Sequence, residues 1–477
     1  MSVYKVKENI FKNKNIDIVK CEEVCNNVIM KIFEPLVLKF EEGNWALDPE
    51  LGLIDTILEQ NPNLFKLLEP DITQGKPGST FGRQDTPSVE QIVRAAIYKE
   101  MKNLDYRSLE YDQEDSRICE QFVKINPLRP YSFQVWQKYI SRISEERLEQ
   151  FMISLNKIAI AEGLEDIQKF RQDTTVVETN IHYPTNNSLV WDCIKESERL
   201  LKHLKNEIEG LEYAEYRKKA KKIFFKINVS NNEEERVKLF KKQLKLFTES
   251  INQVSNIIKK KHEYDITIKA DKYITLLENL LPVMEMVFSM TERKEIYKEQ
   301  VPAEEKIFSI YEQHTDIIVK GKREVEFGHK INLGTGASNI ILSCEILDGN
   351  PKDSELYQGT IRKIKNDYGI TPETSVSDGG FASLANLEYS KKVGIINTVF
   401  NKVRGSLQNI VSSKYMETKL KRWRSGIEAI ISNLKRGFKI NRCNWKGPLH
   451  YGQKIFWSII GYNIRVMTAA LLMAMTL

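Results

Sequence analysis

Apolar positions along the chain change period several times. Between 88 and 163 they recur at three- and four-residue spacing, as in Leu148, Phe151, Met152 and Leu155, which predicts helices packed on a core. TPSVEQ (86–91) reads as a helix start, with Ser88 as cap and Gln91 three residues on. Over 168–182 the chain turns β-branched, and the run from Asp173 to Ile181 predicts a strand that an acid opens. Val237, Phe240, Leu244, Phe247, Ile251, Val254 and Ile258 then form a heptad-like seam, and Ile194, Leu201, Leu204, Ile208 and Leu211 an earlier one. With KINVSNNEE (226–234) read as a turn between them, a long helical hairpin is expected. From 315 the strands TDIIVKG, EVEFGHKINLG, NIILSCEIL, TSVS and IINTVF alternate with the helices YQGTIRKIKNDYG and SLANLEYSKKVG, and helices follow at 421–436 and 453–475. Such alternation predicts an α/β fold, a mixed sheet flanked by helices.

These changes divide the chain into an N-terminal segment at 1–65, a Gly/Pro-rich loop or linker at 66–87, an all-α domain at 88–163 and a helical insertion at 186–305. A sheet domain takes 164–185 with 306–477. At 477 residues, 41% hydrophobic and 29% charged, the chain reads as soluble and globular, with length for two or three domains. A net charge of +6 permits nucleic-acid binding without arguing for it. The cysteines at 21, 25, 119, 193, 344 and 443 lack the spacing of a four-ligand zinc site and are expected as reduced thiols. The opening MSVYKVKENIFKNKN has no apolar signal core, and the final VMTAALLMAMTL, at 12 residues, is short for a bilayer span. A cytoplasmic protein without membrane contact is expected.

An acid at the head of a buried strand is expensive unless a cation, a hydrogen-bond network or an exposed strand end compensates it. Asp378 is a second such acid, between TSVS and Gly379-Gly380. Ligands collect at strand carboxyl ends in open α/β sheets, although Asp-Gly is also a plain turn dipeptide. The third stretch, 421–446, holds eight Lys or Arg and a single acid, Glu428, with Trp423, Phe438 and Trp445 interleaved. That suits a phosphate backbone. Arg424, Glu428, Ile431 and Lys435 share one helical stripe, which by itself reads equally as a surface salt-bridge ladder. Together the three acids match a two-metal nuclease. Mg²⁺ takes hard oxygen ligands, and two ions about 4 Å apart can bridge a scissile phosphodiester. The many lysines of the insertion read as a solvated face.

RQDTTVVETNIHYPTNNSLVWD (171–192), SDGGFAS (377–383), RSGIEAIISNLKRGFKINRCNWKG (424–447) and FGHKINL (327–333) resemble motifs of the DDE transposases of bacterial insertion sequences. The resemblance covers roughly 90–475 and implies an RNase H-like catalytic domain. It makes Asp173, Asp378 and Glu428 the catalytic, metal-binding triad, served by Mg²⁺ with Mn²⁺ as a substitute. Arg424 and Lys435 would contact DNA, and Arg436, Lys439 and Arg442 extend that surface. The implied function is binding of terminal inverted repeats, hydrolysis of phosphodiester bonds and strand transfer into target DNA, by a homodimer at the nucleoid. The helices at 88–163 would help bind the ends. A catalytically inactive DNA-binding repressor or architectural protein, or another RNase H-like nuclease, is the alternative. The chain also departs from the family. Lys421 stands where many members have Tyr, the insertion follows the first strand, and Asn186 and Asn187 occupy a turn that often holds Asp, a change expected to matter little.

Overall fold

The computed structural model describes residues 48–74, 86–264, 266–320, 324–402 and 407–476. Cys21, Cys25, most of 1–65 and the Gly/Pro-rich core of the expected linker lie outside the described residues. The described chain forms two units. One comprises described residues of 1–177, 330–445 and 449–477, the other those of 178–329 and 446–448. The first unit begins with α1 (Pro49–Gln60) and α2 (Asn63–Thr73). Helix α2 runs into the segment expected as linker. Its buried Leu64, Leu68 and Ile72 recur every four residues, which outweighs the cost of Pro70 inside the helix. Then come α3 (Val89–Met101), α4 (Tyr106–Asp115), α5 (Arg117–Val123), α6 (Phe133–Ile140) and α7 (Glu145–Ala161). Ser88 and Gln91 close the expected capping box on α3.

The second unit is built around α8 (Asn186–Lys205), α9 (Arg217–Val229), α10 (Glu233–Lys259) and α11 (Ile268–Thr291). The segment expected as a two-helix hairpin therefore holds four helices. Gly210, at φ +76, and the irregular stretch before Arg217 end the first, and the turn lies at Ser230–Asn232. Leu244, Phe247 and Val254 of the seam are buried, packed with Leu201, Leu204, Ile274 and Leu277, while Phe240 is buried with Ile227 and Leu239. Asn187, expected to matter little, ties three helices together. Its Nδ2 donates to Phe224 O (3.0 Å) and Asn228 Oδ1 (2.8 Å), and its Oδ1 accepts from Gln243 Nε2 (2.7 Å).

Seven described strands follow the chain as β1 (Lys169–Thr179), β2 (Asp316–Lys320), β3 (Glu324–Thr335), β4 (Ile341–Ile346), β5 (Thr374–Ser377), β6 (Asn397–Phe400) and β7 (Arg442–Cys443). They make one mixed sheet. β1, β5 and β6 are parallel neighbours, β3 lies beside β1, and β4 pairs antiparallel with β3. Helices α12 (Asp353–Tyr368), α13 (Leu384–Lys392), α14 (Lys414–Arg424), α15 (Gly426–Gly437) and α16 (Pro448–Thr476) complete the first unit. On one sheet face, Tyr357 of α12 meets Phe400 edge-on. On the other, Val376 and Val399 pack with Leu420 of α14.

The helices of 88–163 share a core with this sheet. Asn156 of α7 donates to Ile341 O (2.9 Å) and accepts from Asn463 of α16 (3.0 Å). Helix α16 is longer than expected, and by length and composition both it and 268–296 could cross a membrane. Burial of Tyr451, Ile455, Trp457, Ile460 and Met467 in the first unit's core accounts for the apolar character of α16.

Candidate active site

Strand register brings the first two acids together. β1 and β5 run parallel, with Lys169 opposite Thr374 and Gln172 opposite Ser377. Asp173 and Asp378 each follow the last of these pairs, on neighbouring strands about 4.8 Å apart. Asp173 therefore does not open its strand. It sits four residues in, where β5 has just ended and space opens beside it. Alternation along β1 sends Gln172 and Thr174 to the α12 face, where Gln172 donates to Thr360 and Thr174 Oγ1 to Asp353 Oδ1 (3.2 Å). Arg171 and Asp173 project to the opposite face. After Asp378 the chain must be glycine, because a Cβ on Gly379 would collide with the backbone oxygen of Asn401.

The third acid arrives on a broken helix. Residues 421–436, expected as one helix, are split at Ser425. Arg171 Nη1 donates to Trp423 O (2.6 Å), so that carbonyl leaves the helical ladder. The Arg171 guanidinium also lies over the Trp423 ring, bonds Thr335 Oγ1 (3.1 Å) and bonds Asn339. Its tip presses so closely on Gly426 that a Cβ there would clash. Past the break, Ile427, Ile430 and Leu434 bury one face of α15 and leave Glu428 on the other.

The break delivers Arg424 to the acids. Its Nη2 lies 2.5 Å from Asp173 Oδ2 and 3.8 Å from Asp378 Oδ1, and its Nη1 lies 2.5 Å from Glu428 Oε1. Three carboxylates from distant parts of the chain thus surround one guanidinium. Their side-chain exposure rises from 16% at Asp173 through 42% at Asp378 to 61% at Glu428, so the cluster is open on one side. Burial pushes the Asp173 carboxyl up to about 6, and the nearby Asp378 and Asp353 add to it, against the pull of Arg424 and the Thr174 N–H. Asp353, which the sequence reading passed over, accepts from Lys330 Nζ (2.6 Å) beside this cluster. Its only sequence signal was an acid opening a helix, which is common as a dipole-favoured position.

The remaining cations spread out. Lys435 is half-buried, Arg436 and Arg442 are exposed, and Lys439 donates to Asn103 O (3.2 Å). Phe438, read as interleaved in the basic run, is buried against Tyr462. Trp445 packs on Tyr106, and Lys421 pairs with Glu417 in its own helix.

Among the described residues, no three His, Cys, Asp or Glu side chains stand close enough together to hold one metal ion as they are. The donor chemistry of the cluster nevertheless fits a hard divalent cation. Its three carboxylates already converge on a positive group, and Arg424 Nε is buried without a hydrogen-bond partner, so the guanidinium is not fully built into the network.

A comparison with curated proteins finds no match, nor does one with solved structures. Residues 309–464 match the family model of the transposase DDE domain. The match takes in Asp378, Arg424, Glu428 and Lys435, and Asp173 lies before it. By this match, residues 309–464 form a DDE domain of the transposase kind.

Proposed function

We propose that the chain binds the terminal inverted repeats of its own element, hydrolyses phosphodiester bonds there and transfers the freed 3′ ends to target DNA. The observation that carries this is the convergence of Asp173, Asp378 and Glu428 on the Arg424 guanidinium. An RNase H-like catalytic domain is supported by the mixed sheet with helices on both faces and by adjacent acids where parallel strands end.

Asp173, Asp378 and Glu428 would hold Mg²⁺ or, in its place, Mn²⁺. When bound, such ions neutralise phosphate charge and lower the pKa of the attacking water or 3′-hydroxyl. The chain supplies the rest. Arg424 balances the carboxylates and offers a planar fork that matches a phosphate. Lys435, Arg436, Lys439 and Arg442 extend the cationic surface along the DNA backbone. The helices at 88–163 would help bind the ends. Two ends must be held at once, which calls for a homodimer on DNA, in the cytoplasm at the nucleoid.

Cleavage of repeat-bearing DNA with Mg²⁺ tests the proposal. Asp173→Asn should lose more than about 100-fold in rate, beyond the usual cost of an outer-shell change, while still binding the DNA. Cleavage by this variant at the wild-type rate would sink it.

A further inference from the structure

We propose, resting on the DNA-acting function above, that the helical insertion carries its own surface for the phosphate backbone of duplex DNA, on α9 and the first half of α10. Helix α9 reads RKKAKKIFFKINV, with no acid in it. Ala220 and Ile227 are buried, with Ile223 and Phe224 half-buried beside them. Lys218, Lys219, Lys221, Lys222 and Lys226 are all exposed on the remaining surface. Next to α9, α10 repeats the design. Phe240, Gln243, Leu244 and Phe247 face the core, while Lys238, Lys241, Lys242 and Lys245 are exposed with no acid among them.

A solvated helix face normally interleaves its charges, and this unit does so elsewhere. On α8, Lys195 pairs with Asp192 (2.7 Å) and Arg199 with Glu196 (2.6 Å). In the first half of α10 the acids sit in the first turn, Glu233–Glu235, where the helix dipole favours them. Among the described residues none of the nine lysines is ion-paired. Instead Lys218–Lys222, Lys222–Lys226, Lys238–Lys242 and Lys241–Lys245 set like charges one turn apart, which destabilises each helix. A face that spends stability on itself is explained by a partner that removes the repulsion. The partner must be densely anionic along two neighbouring helices, as a duplex backbone is. Phe225, 53% exposed with Lys221 beside its ring, adds an apolar contact for sugar edges within the basic field.

The test uses the full chain and a short duplex without element sequence, titrated over a salt series. Replacing Lys218, Lys222, Lys241 and Lys245 together by Gln should weaken binding at least about tenfold and flatten the log–log salt slope by up to about 3.6, at about 0.9 per lost phosphate contact. The same four changed to Arg should bind as the wild type does, and both variants should melt as it does, since the positions are exposed. Unchanged affinity and slope in the Gln variant, with wild-type DNA binding and cutting intact, would overturn the surface and leave the proposed function standing. A wild-type chain that neither binds nor cuts DNA would instead remove the function on which the surface rests. Binding of poly-glutamate as tight as that of the duplex at equal salt would overturn the assignment to nucleic acid.

Discussion

Arg171 shows how one side chain can build a site it does not enter. It is buried, held by Trp423 O, Thr335, Asn339 and the Trp423 ring, and its tip lies against Gly426. A flexible arginine could yield to a new Cβ, but this one has nowhere to go. Gly426→Ala is expected to cost about 1–3 kcal/mol by thermal unfolding, and to slow cleavage by moving Arg424 and Glu428. An unchanged melting point and rate would count against that coupling. Glu165 offers a pH test away from the acid cluster. It is buried, accepts from the N–H groups of Asp166, Ser338 and Ile340, and burial still pushes it up to about 7. A carboxyl raised on folding adds stability that is complete below its unfolded value of 4.5 and is lost as pH rises through about 7. Stability should therefore fall across that window in the wild type and fall less in Glu165→Gln, measured by urea unfolding at each pH. Equal pH slopes would contradict it.

At the scale of elements, what the sequence reveals depends on how local the cause is. The capping box at Ser88 and the strand at TSVS were readable because their causes lie within a few residues. The parallel register that sets Asp173 beside Asp378 was not, since it depends on two strands far apart in the chain. The break between α14 and α15 was hidden for the same reason. Its cause is an arginine on β1, and the local pattern read as one continuous helix. Asn187 looked like an idle turn residue and proves to be a buried junction of α8, α9 and α10. Asn187→Ala, which leaves Gln243 and Asn228 without that partner, should cost about 1–3 kcal/mol in urea unfolding. A loss below measurement error would show the junction to be dispensable.

At the scale of the molecule, a net charge of +6 concealed strong local fields, and the total misled where the distribution informs. Three acids meet at one cation in the first unit, and lysines without an ion pair among the described residues crowd two helices of the second. The motif resemblance singles out Asp173, Asp378 and Glu428, and the structure brings all three to the Arg424 guanidinium. Titration of Mn²⁺ into the full chain, with free ion read by electron paramagnetic resonance, tests that assembly most directly. Wild type should bind Mn²⁺, and Asp173→Asn, Asp378→Asn and Glu428→Gln should each bind it at least about tenfold more weakly. If all three variants took up Mn²⁺ as the wild type does, the carboxylates would not share an ion.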